Sequence, residues 1–215
     1  MPKGQPEQPL SPEGCAELLG VSRETLARCA TYLDLLDRWQ RRINLVGPAT
    51  LADPWRRHIL DSGQLWPLGA SRARRLVDLG SGAGLPGLVL ALLGVPEVHL
   101  IESDRRKASF LREAARACGV AVEVHAMRIE AVPPLGADLV TARALAPLPE
   151  LLALAERQMQ TGTTCLFLKG RQVEAELTLA RRSWTMQVTQ EASLSDPDGR
   201  VLIISEIGRA GSQPE

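Results

Sequence analysis

Aromatic residues are scarce, at 3% of 215 positions, which excludes a module that grips nucleic acid chiefly by stacking several bases on aromatic platforms. Net charge is absent as well, because 25 basic and 25 acidic side chains cancel; bulk attraction of a polyanion over the whole surface is therefore not expected. Lysine is nearly missing: only Lys3, Lys107 and Lys169 are lysines, and the other 22 basic residues are arginines. No apolar run reaches the roughly 18 residues that a membrane span needs, and the longest, around Leu85 to Val95, is broken by glycine and proline. The first ten residues carry Pro2, Pro6 and Pro9 and no apolar stretch, unlike a signal or transit peptide. Cys15, Cys29, Cys118 and Cys165 are scattered without a CxxC pair, which fits reduced thiols rather than a zinc site or a disulfide framework. The expectation is a soluble cytoplasmic protein with no membrane contact and no metal.

What is present is the composition of one globular domain, 45% hydrophobic and 23% charged. The zero net charge is a sum of unlike parts. Residues 1–37 carry a net −3, residues 38–75 hold eight arginines against Asp53 and Asp61 for +6, and residues 76–215 carry −3.

Residues 1–20 read as a loose tail and 21–70 as a helical N-terminal unit. Ser22 is the expected N-cap of a helix on which Leu26, Cys29, Leu33, Leu36 and Ile43 recur at three- and four-residue steps up to Asn44. Asp53 and Pro54 start a second helix running to Trp66, with His58 and Asp61 three apart and able to pair. From residue 71 to 208 short β-rich runs alternate with helical stretches, the pattern of a parallel sheet covered by helices. Strands are expected at Arg75–Leu79, Val98–Glu102, Val122–Ala126, Asp138–Ala142 and Thr164–Leu168. Ser183–Gln190 and Val201–Ile207 should form a closing antiparallel pair across Asp196-Pro197-Asp198-Gly199. Helices are expected at Leu85–Leu93, Asp104–Cys118, Leu148–Met159 and Arg171–Arg182, and residues 209–215 read as a second tail.

The strongest local signal is Val77-Asp78-Leu79-Gly80-Ser81-Gly82-Ala83-Gly84-Leu85-Pro86-Gly87, a hydrophobic strand running into a glycine-dense turn and a helix. Glycines let the backbone turn sharply and approach a ligand closely, and the following helix is expected to offer free N–H groups. Gly82 to Gly87 literally satisfies GxGxxG, so a dinucleotide ligand stays open. Asp78 at the strand end and the absence of a glycine devoted to pyrophosphate favour S-adenosylmethionine. Glu102, ending the second strand, could accept hydrogen bonds from ribose hydroxyls of either cofactor.

Together with this turn, the ordered motifs Asn44-Leu45, Arg57-His58-Ile59-Leu60-Asp61-Ser62, Leu100-Ile101-Glu102-Ser103, Lys107 with Phe110-Leu111, Arg128-Ile129-Glu130, Thr141-Ala142-Arg143-Ala144 and Lys169-Gly170 resemble the bacterial 16S rRNA guanine-N7 methyltransferase family RsmG, or GidB. The resemblance covers roughly residues 33 to 176, with Val46 where the family commonly has Thr and Leu85 where Phe is frequent. It implies an α/β, Rossmann-like class I S-adenosylmethionine-dependent methyltransferase fold with a helical N-terminal extension. It also implies a cofactor pocket lined by Gly80, Gly82, Leu85, Glu102, Ile129, Glu130 and Arg143. Ile129 would flank the adenine, Glu130 would lie near its polar edge or the ribose, and Arg143 would stand nearest the methyl and the target. The implied substrate is 16S rRNA, the small ribosomal subunit or its precursor, methylated at guanosine 527 in the 530 loop; a monomer is expected.

Guanine N7 carries no proton, so its methylation needs no general base. The sequence has no (Asp/Asn)-Pro-Pro-(Tyr/Phe) block after the fourth strand, and Cys165, inside the fifth, reads as packing rather than a nucleophile. Arg143 is a candidate for holding the target base or a phosphate, through guanine O6 rather than N7. Arg57, His58, Asp61 and Lys169 are RNA-facing candidates, and the +6 segment from Arg38 to Arg75 is the expected RNA-facing patch. His99 and His125 read as packed or paired. Two other functions stay open: an NAD-linked oxidoreductase, and a non-catalytic ribosome-assembly factor on the same fold.

Overall fold

A computed structural model describes residues 8–211; Met1 to Glu7, and the tail positions after Gly211, lie outside the described residues. Seven strands form one sheet in the order β3-β2-β1-β4-β5-β7-β6. They are β1 (Arg75–Leu79), β2 (Glu97–Ile101), β3 (Glu123–His125), β4 (Ala137–Arg143), β5 (Met159–Lys169), β6 (Trp184–Ala192) and β7 (Arg200–Arg209). The first five are parallel; β7 runs antiparallel between β5 and β6. This departs from the parallel 3-2-1-4-5-6 order of dinucleotide-binding folds.

Period-two burial divides the strands' side chains between two cores. Leu76, Leu100, Leu139 and Leu166 face α1 (Pro12–Leu19), α2 (Arg23–Gln40), α4 (Gly87–Leu93) and α5 (Arg105–Cys118). Val77, Leu79, Ile101, Val140, Cys165 and Phe167 face α6 (Leu148–Glu156) and α7 (Val173–Ala180). The N-terminal helices are thus part of the first core. Tyr32 of α2 is fully buried beside Phe110 of α5, and its hydroxyl donates to Ala83 O at 2.8 Å, tying α2 to the glycine turn.

The strands and α5 fall within a few residues of expectation, and four other readings are corrected. Residues 12–19 are not a loose tail: Ser11 caps α1, Gly20 closes it in the left-handed conformation (φ 64°), and Cys15 is buried in the core. The helix capped by Ser22 stops at Gln40 rather than Asn44. There the Gln40 side chain takes over the backbone's partners, accepting from the N–H of Leu45 and Val46 and donating to Val46 O. The helix expected from Leu148 to Met159 ends at Glu156, because Met159 already opens the eleven-residue β5. The second expected tail begins one residue late, because Arg209 belongs to β7 and pairs with Glu156.

The stretch begun by Asp53 is wound as a π-helix over Trp55–Leu60, continued by the single turn α3 (Asp61–Gly63). Asp53 acts as the expected cap, accepting from Arg56 N–H. The π-winding lets Asp61 N–H reach five residues back to Arg56 O.

The eight arginines of the +6 segment do not form one patch. Arg75 opens β1 at the amino end of the sheet and is paired with Glu97 at the start of β2. Arg72 and Arg74 immediately precede it, at the end opposite Gly80.

Candidate functional site

The carboxyl ends of β1, β2, β4 and β5 open into a cavity of about 1030 Å³, walled on the far side by Leu45 to Thr50, the π-helix and the β6–β7 connection. Ligands of open α/β sheets bind at this end.

Each glycine of the turn has its own reason. Gly80 (φ 64°) and Gly82 (φ 55°) hold left-handed backbone. A Cβ on Gly80 would lie 2.5 Å from Leu145 Cδ1. Gly87 presses α4 onto the sheet: a Cβ there would stand 2.6 Å from both Asp78 Cβ and Leu100 Cδ2. Of the helix that follows, Leu88 N–H is already spent on Gly84 O, and several of the turn's own N–H groups are satisfied internally. Ser81 N–H donates to Ile101 O, Gly84 and Leu85 N–H to Ser81 O, and Gly82 N–H to Glu102 Oε2 at 2.9 Å. Glu102 Oε1 accepts from Asp104 N–H at 2.7 Å, so the carboxylate is fixed across the turn. A pyrophosphate would meet a carboxylate here instead of open amides, whereas a nucleoside with free hydroxyls and no phosphate would find acceptor lone pairs.

Beneath the turn, Asp78 is fully buried and accepts from Thr141 Oγ1 at 2.7 Å. Burial pushes its carboxyl up to about 6. Ile129, buried, and Glu130, exposed, also line the cavity. Leu85 is 3% exposed and sits in the first core, so the cavity meets it mainly along its backbone.

The decisive arrangement surrounds Arg143, at the end of β4. Its Nη1 donates to Asp61 Oδ2 (3.0 Å) and to Arg57 O (3.1 Å) in the π-helix. Asp61 Oδ1 accepts from Ser195 Oγ and Gln64 Nε2. The expected His58–Asp61 pair is therefore replaced by Asp61–Arg143. His58 is fully buried, with Nε2 3.2 Å from Thr50 Oγ1, and lines the cavity rather than an outer surface. Burial first, and then the positive charge of Arg143, pulls its imidazole down to about 4, leaving it neutral at pH 7. Next to Arg143, Ala144 (φ 50°) carries left-handed strain, as residues at functional sites often do.

Lys169 is likewise not a surface lysine. Its side chain is 8% exposed, and Nζ donates to Glu176 Oε2 and Ala146 O, each at 2.7 Å. Arg57 is half-buried and tied to Asp196 at 2.9 Å. Cys165 is wholly buried with its thiol pushed up by burial, which confirms packing over nucleophilic chemistry. Ser195 and Asp196 were missed as site residues; only the Asp-Pro-Asp-Gly turn marked that region in the sequence.

The family model described as rRNA small subunit methyltransferase G matches residues 25–200. The chain belongs to the GidB family. It is 57% identical over 205 residues to "Ribosomal RNA small subunit methyltransferase G" of Paramagnetospirillum magneticum, covering 95% of this chain and 100% of that one. A protein of the same name from Rhodospirillum centenum is 58% identical over 194 residues, covering 90% of each. Among solved structures, an O-methyltransferase from Bacillus cereus in complex with SAH aligns with TM-score 0.59 over 93% of this chain and 98% of that one, at 13% identity. The O-methyltransferase TomG from Streptomyces achromogenes, in complex with SAM, aligns with TM-score 0.58 over 94% and 99%, at 19% identity. These likenesses establish the Rossmann-like class I methyltransferase fold, and this GidB chain carries its N-terminal helices as part of the same core.

Proposed function

We propose that this chain transfers the methyl group of S-adenosylmethionine to N7 of a guanosine in small-subunit rRNA, at the position the sequence resemblance implies. The observation that carries the cofactor assignment is the Glu102 carboxylate fixed against Gly82 N–H, a site suited to ribose hydroxyls and hostile to phosphate. With the antiparallel β7, it speaks against the NAD-linked reading.

Within this reading, Gly80 and Gly82 let the cofactor lie against the turn, Glu102 accepts from its ribose, and Ile129 covers its adenine. Bound S-adenosylmethionine supplies an electrophilic methyl on a positively charged sulfur. The residues must then align a lone pair with that methyl and exclude water. Guanine N7 offers its lone pair without losing a proton, so no base is required, in keeping with a neutral, buried His58. The positive charge passes from sulfur to the guanine ring, and no proton leaves.

Arg143 has one nitrogen committed to Asp61 and Arg57 O. Its other N–H groups have no partner among the described residues and can hold guanine O6 or a flanking phosphate. Its anchoring by the π-helix makes it a positioning group of fixed orientation.

The test is mapping of N7-methylguanine in rRNA from cells with and without the gene, together with methylation of small-subunit particles by purified protein. One modified guanosine should disappear with the gene and return with the wild-type chain. Arg143→Ala should bind S-adenosylhomocysteine but methylate sharply less. An unchanged map would overturn the assignment, and rescue by a Gly82→Val chain unable to bind S-adenosylhomocysteine would favour a non-catalytic assembly role.

A further inference from the structure

At the β3 edge of the sheet, away from the Arg143–Asp61 ties, the tripeptide Glu-Val-His occurs twice, as Glu97–His99 on β2 and Glu123–His125 on β3. Parallel pairing sets His99 opposite Glu123 and Ile101 opposite His125. The two imidazoles and the Glu123 carboxylate therefore converge. His99 Nδ1 lies 3.1 Å from His125 Nε2 and 3.4 Å from Glu123 Oε2, and His125 Nε2 lies 3.7 Å from Glu123 Oε1.

These separations, 3.1–3.7 Å, lie within a few tenths of an ångström of the edges of a coordination polyhedron. Zinc bonds of about 2.0–2.2 Å in tetrahedral geometry place neighbouring donors about 3.3–3.6 Å apart. The outer shell is also in place. His99 Nε2 is 3.0 Å from Glu97 Oε1, which leaves Nδ1 as the lone-pair nitrogen turned toward His125 and Glu123. Glu97 is itself held by Arg75 Nε at 2.6 Å. A carboxylate that fixes the far nitrogen of a ligating imidazole is the usual support of a metal-bound histidine. The His99 and His125 side chains are 8% and 11% exposed, while Glu123 at 66% leaves an entry path from solvent.

We propose that His99, Glu123 and His125 bind one divalent transition-metal ion of the zinc class, with water completing its shell. Two imidazole nitrogens and one carboxylate oxygen suit Zn²⁺ and exclude the all-oxygen cages of Mg²⁺ and Ca²⁺. The four cysteines are buried and do not compete for the ion. The ion would staple β3, a three-residue edge strand, to β2. It would also brace the strand end where His125 O accepts from Glu102 N–H at 3.1 Å.

The test is titration of chelator-stripped full-length protein with Zn²⁺ by calorimetry, with Co²⁺ absorption reporting geometry and melting temperature reporting linkage. Wild type should bind one ion per chain, give tetrahedral Co²⁺ bands, and melt higher with Zn²⁺. Glu123→Gln alters an exposed side chain and leaves the fold intact; it should lose most of the affinity and the melting shift. Glu97→Gln, which touches the ion through His99 alone and also gives up the Arg75 pair, should weaken binding about 10–100-fold. Equal Zn²⁺ binding by wild type and Glu123→Gln, or octahedral Co²⁺ spectra in wild type, would overturn the proposal and leave the two histidines as a hydrogen-bonded pair.

Discussion

Two buried titratable groups, His58 in the π-helix and Asp78 beneath the glycine turn, pull stability in opposite directions with pH. His58 is held near 4, below its ordinary value of about 6.5. Its contribution is complete above pH 6.5 and is lost as pH falls toward 4. Asp78 is held near 6, above its ordinary carboxylate value. Its contribution is present at low pH and is lost as pH rises through 6. Urea unfolding of wild type against His58→Gln should show the wild-type advantage shrinking by about 2 kcal/mol between pH 7.5 and pH 5. Against Asp78→Asn, the wild-type advantage should instead be larger at pH 4.5 than at pH 7.5. Identical slopes for both variants would mean that neither group carries the shift.

At the scale of elements, the segment between α2 and the π-helix depends on one side chain. Gln40 satisfies three backbone groups of Leu45 and Val46, so Gln40→Ala should cost about 1–3 kcal/mol in urea unfolding. It should also loosen the cavity wall at Leu45. Such staples explain what the sequence conceals. Strands with strong apolar runs and helices with side-chain caps, such as α5 on Asp104, are dictated locally and were legible. The glycine turn was legible because left-handed backbone demands glycine at Gly80 and Gly82. The π-winding of Trp55–Leu60 was not, since it answers to tertiary partners, above all Arg143 reaching Arg57 O from a residue 86 positions away. Asp61 was legible as a candidate but not its partner, because an i,i+3 spacing suggests His58 while the fold delivers Arg143 and Ser195. The proposed metal-ligating trio was invisible for a like reason: Glu123 and His125 share a face of β3, but His99 joins them only through strand register.

Across the whole molecule, zero net charge conceals two arginine groups at different places. Arg41 and Arg42 lie within four residues of the cavity-lining Leu45, and Arg72 and Arg74 lie at the amino end of the sheet. If rRNA approaches the cavity, Arg41→Glu with Arg42→Glu should weaken binding of a 16S rRNA fragment about tenfold and flatten its salt dependence. Arg72→Glu with Arg74→Glu should change both by less than about twofold. Fluorescence anisotropy at several salt concentrations would distinguish them, and equal effects would place the RNA elsewhere. The shared core gives the second whole-molecule expectation: because α1 and α2 bury Cys15, Tyr32 and Leu36 with Leu88 and Phe110, calorimetry should show one unfolding transition, not a separately melting N-terminal unit.

The ties of Asp61 to Ser195 and of Arg57 to Asp196 span 134 and 139 positions, and Val201 belongs to the same core as Tyr32. During synthesis the N-terminal helices must therefore wait, unable to close their own core, until the chain as far as Val201 has left the ribosome. The cavity wall is completed by the residues around Ser195 and Asp196, so a translation product truncated before them would lack a finished cavity at which to engage rRNA.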